Sequence, residues 1–148
     1  EARAGGGGGE GSSWHPLGRR AKVTLEVARN DILGTVGGIG ASGLVLVSGG
    51  TEANALALHQ ARTFDYVVMS ASEHDSLYGA VTGAVIAPLD NVGIVDTAAL
   101  EALLDCAGRP FVCVMLANKA TGVSNPIRDI AENVHARHGR LHGEPGHA

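Results

Sequence analysis

Four short apolar runs, Leu44 to Val47, Tyr66 to Met69, Ala84 to Ala87 and Phe111 to Ala117, alternate with stretches of helical period. Each run is too short for a buried helix and holds at least one Val, the pattern of a strand covered on both faces. Between and after them the spacing predicts helices. One covers Thr51 to Ala61. A second runs from Asp96 to Cys106, with Leu100, Leu103 and Leu104 on one face and Gly108 just past its end. Asn125-Pro126 opens a third, whose Ile127, Ile130, Ala131 and Val134 form an i, i+3, i+4, i+7 stripe that stops at Gly139. Upstream, Pro16 starts a long amphipathic helix through Leu17, Ala21, Leu25, Ala28 and Ile32, ending by Gly34. Few folds accept this order. Parallel strands need crossovers, and crossover helices must lie on the sheet, so the expected class is α/β: a mainly parallel sheet with helices on both faces.

Composition agrees with a single core built from aliphatic side chains. Of 148 residues 45% are hydrophobic and only five are aromatic, while glycines number 22. The first thirteen residues, with Gly5 to Gly9 and Gly11-Ser12-Ser13, have the composition of a flexible segment, so the ordered domain is expected over 14–148. The net charge of -4 and the scattered Arg and Lys residues offer no basic stripe for phosphates along a duplex, which argues against nucleic acid. The longest apolar stretch, Phe111 to Ala117, is far below the roughly 20 residues of a membrane helix, and no secretory signal is evident. Cys106 and Cys113 lack metal-ligand spacing and read as buried, reduced thiols of a cytoplasmic protein.

In a parallel sheet the ligand crevice lies at the carboxyl ends of the strands, which directs attention to the loops Ser48 to Thr51, Ser70 to Ser76 and Asn118 to Asn125. In Ser48-Gly49-Gly50-Thr51 a strand passes into a helix start, where backbone N–H groups lack partners and favour an anion. The stretch is either a phosphate grip or an ordinary capped turn served by Ser48 or Thr51. Within Ser72-Glu73-His74-Asp75-Ser76, His74 offers a ring that can exchange protons near neutrality and stack on a heterocycle, or is a solvated loop histidine. Asn118 and Lys119 could present an amide and an ammonium, or only shape the turn toward Gly122 and Asn125-Pro126.

Taken together, "GSSWHPLGRRA" (11–21), "VSGGTEANALAL" (47–58), "SEHDSL" (72–77) and "MLANKATGVSNPIRDIA" (115–131) resemble, in order and spacing, the cysteine desulfurases, a branch of the class V aminotransferase-like enzymes. The resemblance implies part of the large domain of a type I pyridoxal-phosphate enzyme, a homodimer around a mainly parallel seven-stranded sheet. Gly50 and Thr51 would hold the phosphate of pyridoxal 5'-phosphate, and His74 would stack on its ring and shuttle protons. The implied reaction turns L-cysteine into L-alanine and passes the sulfur, as a protein persulfide, to an acceptor protein for iron-sulfur cluster or thiolated-cofactor synthesis. A related class V aminotransferase or a selenocysteine lyase is the alternative, as is a noncatalytic fragment that keeps the phosphate-binding turn.

Departures from the family pattern are specific. Asn118 matches the first Asn of the family's Asn-Asn-Glu-x-Gly loop, whereas Lys119 stands where the second Asn approaches the cofactor's phenolic oxygen. Glu144 stands where the family's Asp pairs with the pyridinium nitrogen and His147 where its Gln contacts the cofactor, unless the ending after His142 is an altered terminus with no such role. Neither Lys22 nor Lys119, the two lysines, matches the family's cofactor-bearing lysine, and neither cysteine matches its persulfide thiol. The chain alone is therefore expected to be inactive, with an unpaired apolar sheet edge that favours aggregation.

Overall fold

A computed structural model of the chain describes residues 16–36 and 43–143. They fall into two compact units, residues 1–46 and 47–148. The first contains helix α1, Pro16–Val36, which continues two residues beyond the expected stop at Gly34. Leu17, Leu25 and Ile32 of its expected apolar stripe stay exposed.

The second unit carries, in order, α2 (Gly50–Ala61), β1 (Tyr66–Ser70), α3 (Asp75–Tyr78), β2 (Val85–Ala87), α4 (Thr97–Leu104), β3 (Pro110–Cys113), α5 (Ile127–Ala136) and β4 (Arg140–His142). The four strands form one sheet in the order β2-β1-β3-β4, and every pair is parallel. Val68 lies beside Val112 in the central pair, and Val112 beside Leu141.

Alternation along β1 and β3 sends neighbouring side chains to opposite faces, and both faces are apolar. Val68, Val112 and Val114 pack with Leu100, Leu104, Ile130 and Val134 of α4 and α5. Met69, Phe111 and Cys113 pack with Leu58, Ala61 and Leu77 of α2 and α3. The predicted α/β class with helices on both faces is the one observed. β4 comes close to α5 at Gly139, where an added Cβ would stand 2.7 Å from the Pro110 carbonyl oxygen and 2.9 Å from Val134 Cγ1. Glycine there permits the strand to follow its helix without displacing β3.

Two expected strands differ. Leu44 to Val47 forms none, because a strand exists only through a ladder partner and no described strand pairs with it. Phe111 to Ala117 pairs only to Cys113. Beyond it the chain turns into a loop closed by a single antiparallel bridge between Ala117 and Ser124. No helix among the described residues is long and apolar enough to cross a membrane.

Candidate functional site

The crossover from β1 leads to β2 on one side, and that from β3 leads to β4 on the other, so the sheet opens a crevice at the carboxyl ends of β1 and β3. Three loops and a helix start meet there through hydrogen bonds.

The helix start is α2. Gly49 is its N-cap, in extended backbone (φ 168°, ψ 179°), and no side chain caps it. The ordinary capped turn is thus not what forms. Instead Glu52, in the first turn, reaches back so that its Oε2 accepts from both the N–H and the hydroxyl of Ser48, each at 2.7 Å. These bonds hold the Glu52 carboxyl below its usual range. The first intrahelical bond runs from Ala53 N–H to the Gly49 carbonyl, 3.1 Å. The N–H groups of Gly50, Thr51 and Glu52 precede it and have no partner within the helix. A Cβ added to Gly49 would meet nothing within 4 Å, so the approach to these donors is open.

One turn further along α2, Asn54 is 2% exposed and ties three elements together. Its Nδ2 lies 3.0 Å from Ser76 Oγ, and its Oδ1 lies 3.0 Å from His142 Nε2 at the end of β4. Ser76 Oγ in turn lies 2.8 Å from His74 Nδ1, which also accepts from the Ser76 N–H at 3.1 Å and so caps α3. Phe111 backs the far end, its ring stacked at 6.4 Å and 22° on that of His142.

Glu73 joins the third loop. It is buried, and its Oε1 accepts from the Met115 N–H just past β3 at 2.6 Å. Its charge adds to burial, the larger cause, in raising the Tyr78 hydroxyl above its ordinary pKa; that hydroxyl donates to the Ser70 carbonyl at 2.7 Å. Asn125, also buried, accepts from the Val95 N–H and donates to the Met115 carbonyl, both at 2.9 Å. Neither Glu73 nor Asn125 is conspicuous in the sequence. Asn54 shares with Leu58 and Ala61 the face that α2 buries.

Asn54 and Ser76 thus tie α2, whose first turn holds Gly50 and Thr51, to the loop that carries His74. Asn118 is a separate case: its Oδ1 accepts from the Ala120 and Thr121 N–H groups at 2.9 and 3.3 Å, closing a turn in which Gly122 takes φ 73°. Its carboxamide oxygen is committed locally, and Lys119 is exposed at the turn's tip. Glu144 and His147 lie outside the described residues. No group of three or more metal-ligating side chains occurs among the described residues.

The thiols divide. Cys113 is buried in β3, as expected, and burial, with Glu73 as the lesser cause, pushes its pKa up to about 12. Cys106 is exposed beyond the end of α4, correcting the expectation of two buried thiols: the helix ends at Leu104, two residues early. Iodoacetamide at neutral pH should alkylate Cys106 in the native chain and Cys113 only after unfolding, as counted by mass spectrometry. The linked pH effect has a definite sign. The unfolded Cys113 thiol ionises near its ordinary pKa, about 8.5, while the folded one keeps its proton. Its contribution to stability is full below that pH and is lost as pH rises toward about 12.

The aminotransferase class-V family profile matches residues 6–142. Cysteine desulfurase IscS 1 of Archaeoglobus fulgidus is 33% identical over 141 residues, covering 87% of this chain and 36% of that protein. The selenocysteine lyase of Rattus norvegicus is 28% identical over 158 residues, covering 86% and 36%. The crystal structure of a NifS-like protein from Rickettsia africae superposes with a TM-score of 0.80 at 28% identity, over 90% of this chain and 39% of that one. The chain thus spans about 36% of the length of these curated relatives. With nearly its whole length matched, and with a parallel sheet that follows the NifS-like fold, this chain belongs to the aminotransferase class-V family.

Proposed function

We propose that the protein carrying this sequence is a pyridoxal 5'-phosphate-dependent cysteine desulfurase, acting on L-cysteine and delivering sulfur to an acceptor protein for iron-sulfur cluster or thiolated-cofactor synthesis. One observation carries the reading: the path from Asn54 through Ser76 to His74 holds an anion-receptive helix start and an imidazole at the same crevice. The names of the cysteine desulfurase and NifS-like relatives support it.

The start of α2 fits the cofactor's phosphate. A phosphate needs donors that the protein has not already used, and the uncapped α2 start offers three N–H groups behind an open Gly49. Gly50 and Thr51 would hold that phosphate, with the Thr51 hydroxyl as a further donor, and His74 would lie against the ring. Lys119 at the phenolic oxygen, with Asn118 beside it in the same turn, and Glu144 at the pyridinium nitrogen complete the proposed set. Bound there, the cofactor supplies the electron sink that weakens bonds in an amino-acid substrate. The chain's own part is to fix the phosphate end, orient the ring against His74 and keep an imidazole ready to exchange a proton. Residues 14–148 are then part of a large domain that works in a cytoplasmic homodimer.

Thr51→Ala is expected to weaken pyridoxal phosphate binding by tenfold or more, since a hydrogen bond to a charged group contributes ~1.5–3 kcal/mol. Unphosphorylated pyridoxal should bind Thr51→Ala and the unmutated chain alike in equilibrium dialysis. Equal affinity of the unmutated chain for both compounds would sink the phosphate assignment. The likeness to a selenocysteine lyase favours that activity as the second reading. Sulfide with alanine from L-cysteine supports the desulfurase, whereas turnover of L-selenocysteine alone supports the lyase.

A further inference from the structure

We propose that the amino ends of β1, β3 and β4, opposite the crevice, carry a separate anion site that takes a small molecule bearing a dianionic phosphoryl group. Phe64 precedes β1, Arg109 precedes β3 and Arg140 opens β4. Together with His59 and Arg62 at the end of α2 they line one open groove of about 490 Å³, inside the ~300–1,000 Å³ range of small-ligand sites.

The sheet register explains why these residues converge. Arg140 is the neighbour of Phe111 across the β3–β4 ladder, and Arg109 stands two residues before Phe111. Alternation therefore puts both arginines on the face that Phe111 shares with Leu58 and Ala61 of α2, with roughly 8 Å between their backbone positions. Arg62 is the C-cap of that same helix.

Three guanidiniums in one groove repel one another unless anions answer them. Elsewhere the answer is a carboxylate: Arg137 meets Glu101 and Asp105, and Arg29 meets Glu26. In the groove only Asp65 answers, its Oδ2 3.9 Å from Arg109 Nε. Arg140 meets the neutral amide of Gln60 at 2.5 Å, and Arg62 makes no ion pair among the described residues. The C-terminus of α2 adds about half a negative charge, less than one guanidinium requires. Three positive charges against Asp65 leave two, on a chain whose net charge is -4. A phosphoryl group at neutral pH carries about -1.5 to -2, which matches that excess where a single carboxylate does not.

The donors are also held ready. The Arg109 guanidinium lies over the Phe64 ring, 5.4 Å from its centre, and donates to the Thr63 carbonyl at 2.7 Å. Gln60 holds Arg140 in the same manner. Each of these bonds uses one of a guanidinium's five N–H groups, and the forks that remain suit phosphoryl oxygens.

The test is amide NMR of the full chain, titrated with inorganic phosphate at an ionic strength held constant with sodium chloride. Signals of the Arg62, Arg109 and Arg140 segments report this groove, so phosphate bound at the start of α2 is not counted. They should saturate with phosphate at less than a tenth of the concentration that chloride requires. Arg62→Gln, which has no ion pair to lose, and Arg140→Gln should each weaken phosphate binding at least fivefold, and both together at least twentyfold. Arg128→Gln removes the same charge at the start of α5, outside the groove, and should change the affinity less than twofold. Equal effects of Arg128→Gln and Arg62→Gln, or chloride matching phosphate, would reduce the groove to a diffuse counterion cloud and overturn the proposal. Tighter binding of succinate, equal in charge, would overturn it in favour of carboxylates. A phosphoserine peptide bound more than tenfold tighter than free phosphoserine would overturn it in favour of a protein partner. Pyridoxal phosphate should bind both arginine variants as it binds the unmutated chain, so failure of the cofactor reading and failure of this site are told apart.

Discussion

Phe111→Ala is expected to lower the unfolding free energy by about 3–5 kcal/mol, the range for truncating a large aromatic in a packed core. Phe111 lies in β3, paired with Val67 of β1 on one side and with Arg140 of β4 on the other, so the backbone around it has little freedom to collapse into the space left behind. Its ring is 1% exposed among Leu58, Ala61, Met69 and Leu77, and meets Phe64 edge-on at 5.5 Å and 60°. Urea unfolding followed by circular dichroism measures the loss. A change below about 1 kcal/mol would mean that α2 and α3 close over the gap, contrary to cavity behaviour in close-packed interiors. The same substitution removes the surface on which His142 stacks.

Asn125 should be nearly as costly to remove, for a different reason. Asn125→Ala strands a buried backbone donor, the Val95 N–H, and an acceptor, the Met115 carbonyl, each at a cost of about 1–3 kcal/mol. Asn125→Asp keeps the bond from Val95 and loses the one to Met115, so it should recover part of the loss at neutral pH. Denaturant titrations of both variants decide the matter. Equal stability of Asn125→Ala and the unmutated chain would show that water replaces the carboxamide. Because Met115 also donates to Glu73, the damage should spread to the loop that carries His74.

How much of this was legible follows from what each signal depends on. β1, β2, α2, α4 and α5 were readable because burial on a sheet face or helix stripe imposes a period on the sequence itself. Leu44 to Val47 carries the same Val-rich wording without forming a strand, since apolarity states a need for cover and not which segment meets it. β4, Arg140–His142, is three residues long with an exposed arginine, and only its ladder with β3 makes it a strand. In the candidate site, Gly50, Thr51 and His74 were singled out from their places at the ends of elements. Asn54 and His142 were not, because 88 residues separate them and a side-chain pair leaves no trace in local spacing. The start of α2, one residue earlier than expected at Gly50, also went unseen: reading Ser48 or Thr51 as caps missed that Glu52 binds Ser48 and leaves the helix start bare.

The strand order has a consequence for how the chain reaches its fold. β2 follows β1 in sequence yet lies on the sheet's margin, while β1's other neighbour is β3, with Tyr66 beside Pro110. The central ladder can close only after the whole segment between them, α3, β2 and α4 included, has been drawn into a loop. Such pairing meets the entropy of loop closure before any ladder bond repays it. Of the sheet's three ladders the β1–β3 seam therefore closes the longest stretch of chain, and it is the seam at whose carboxyl end the loops later meet.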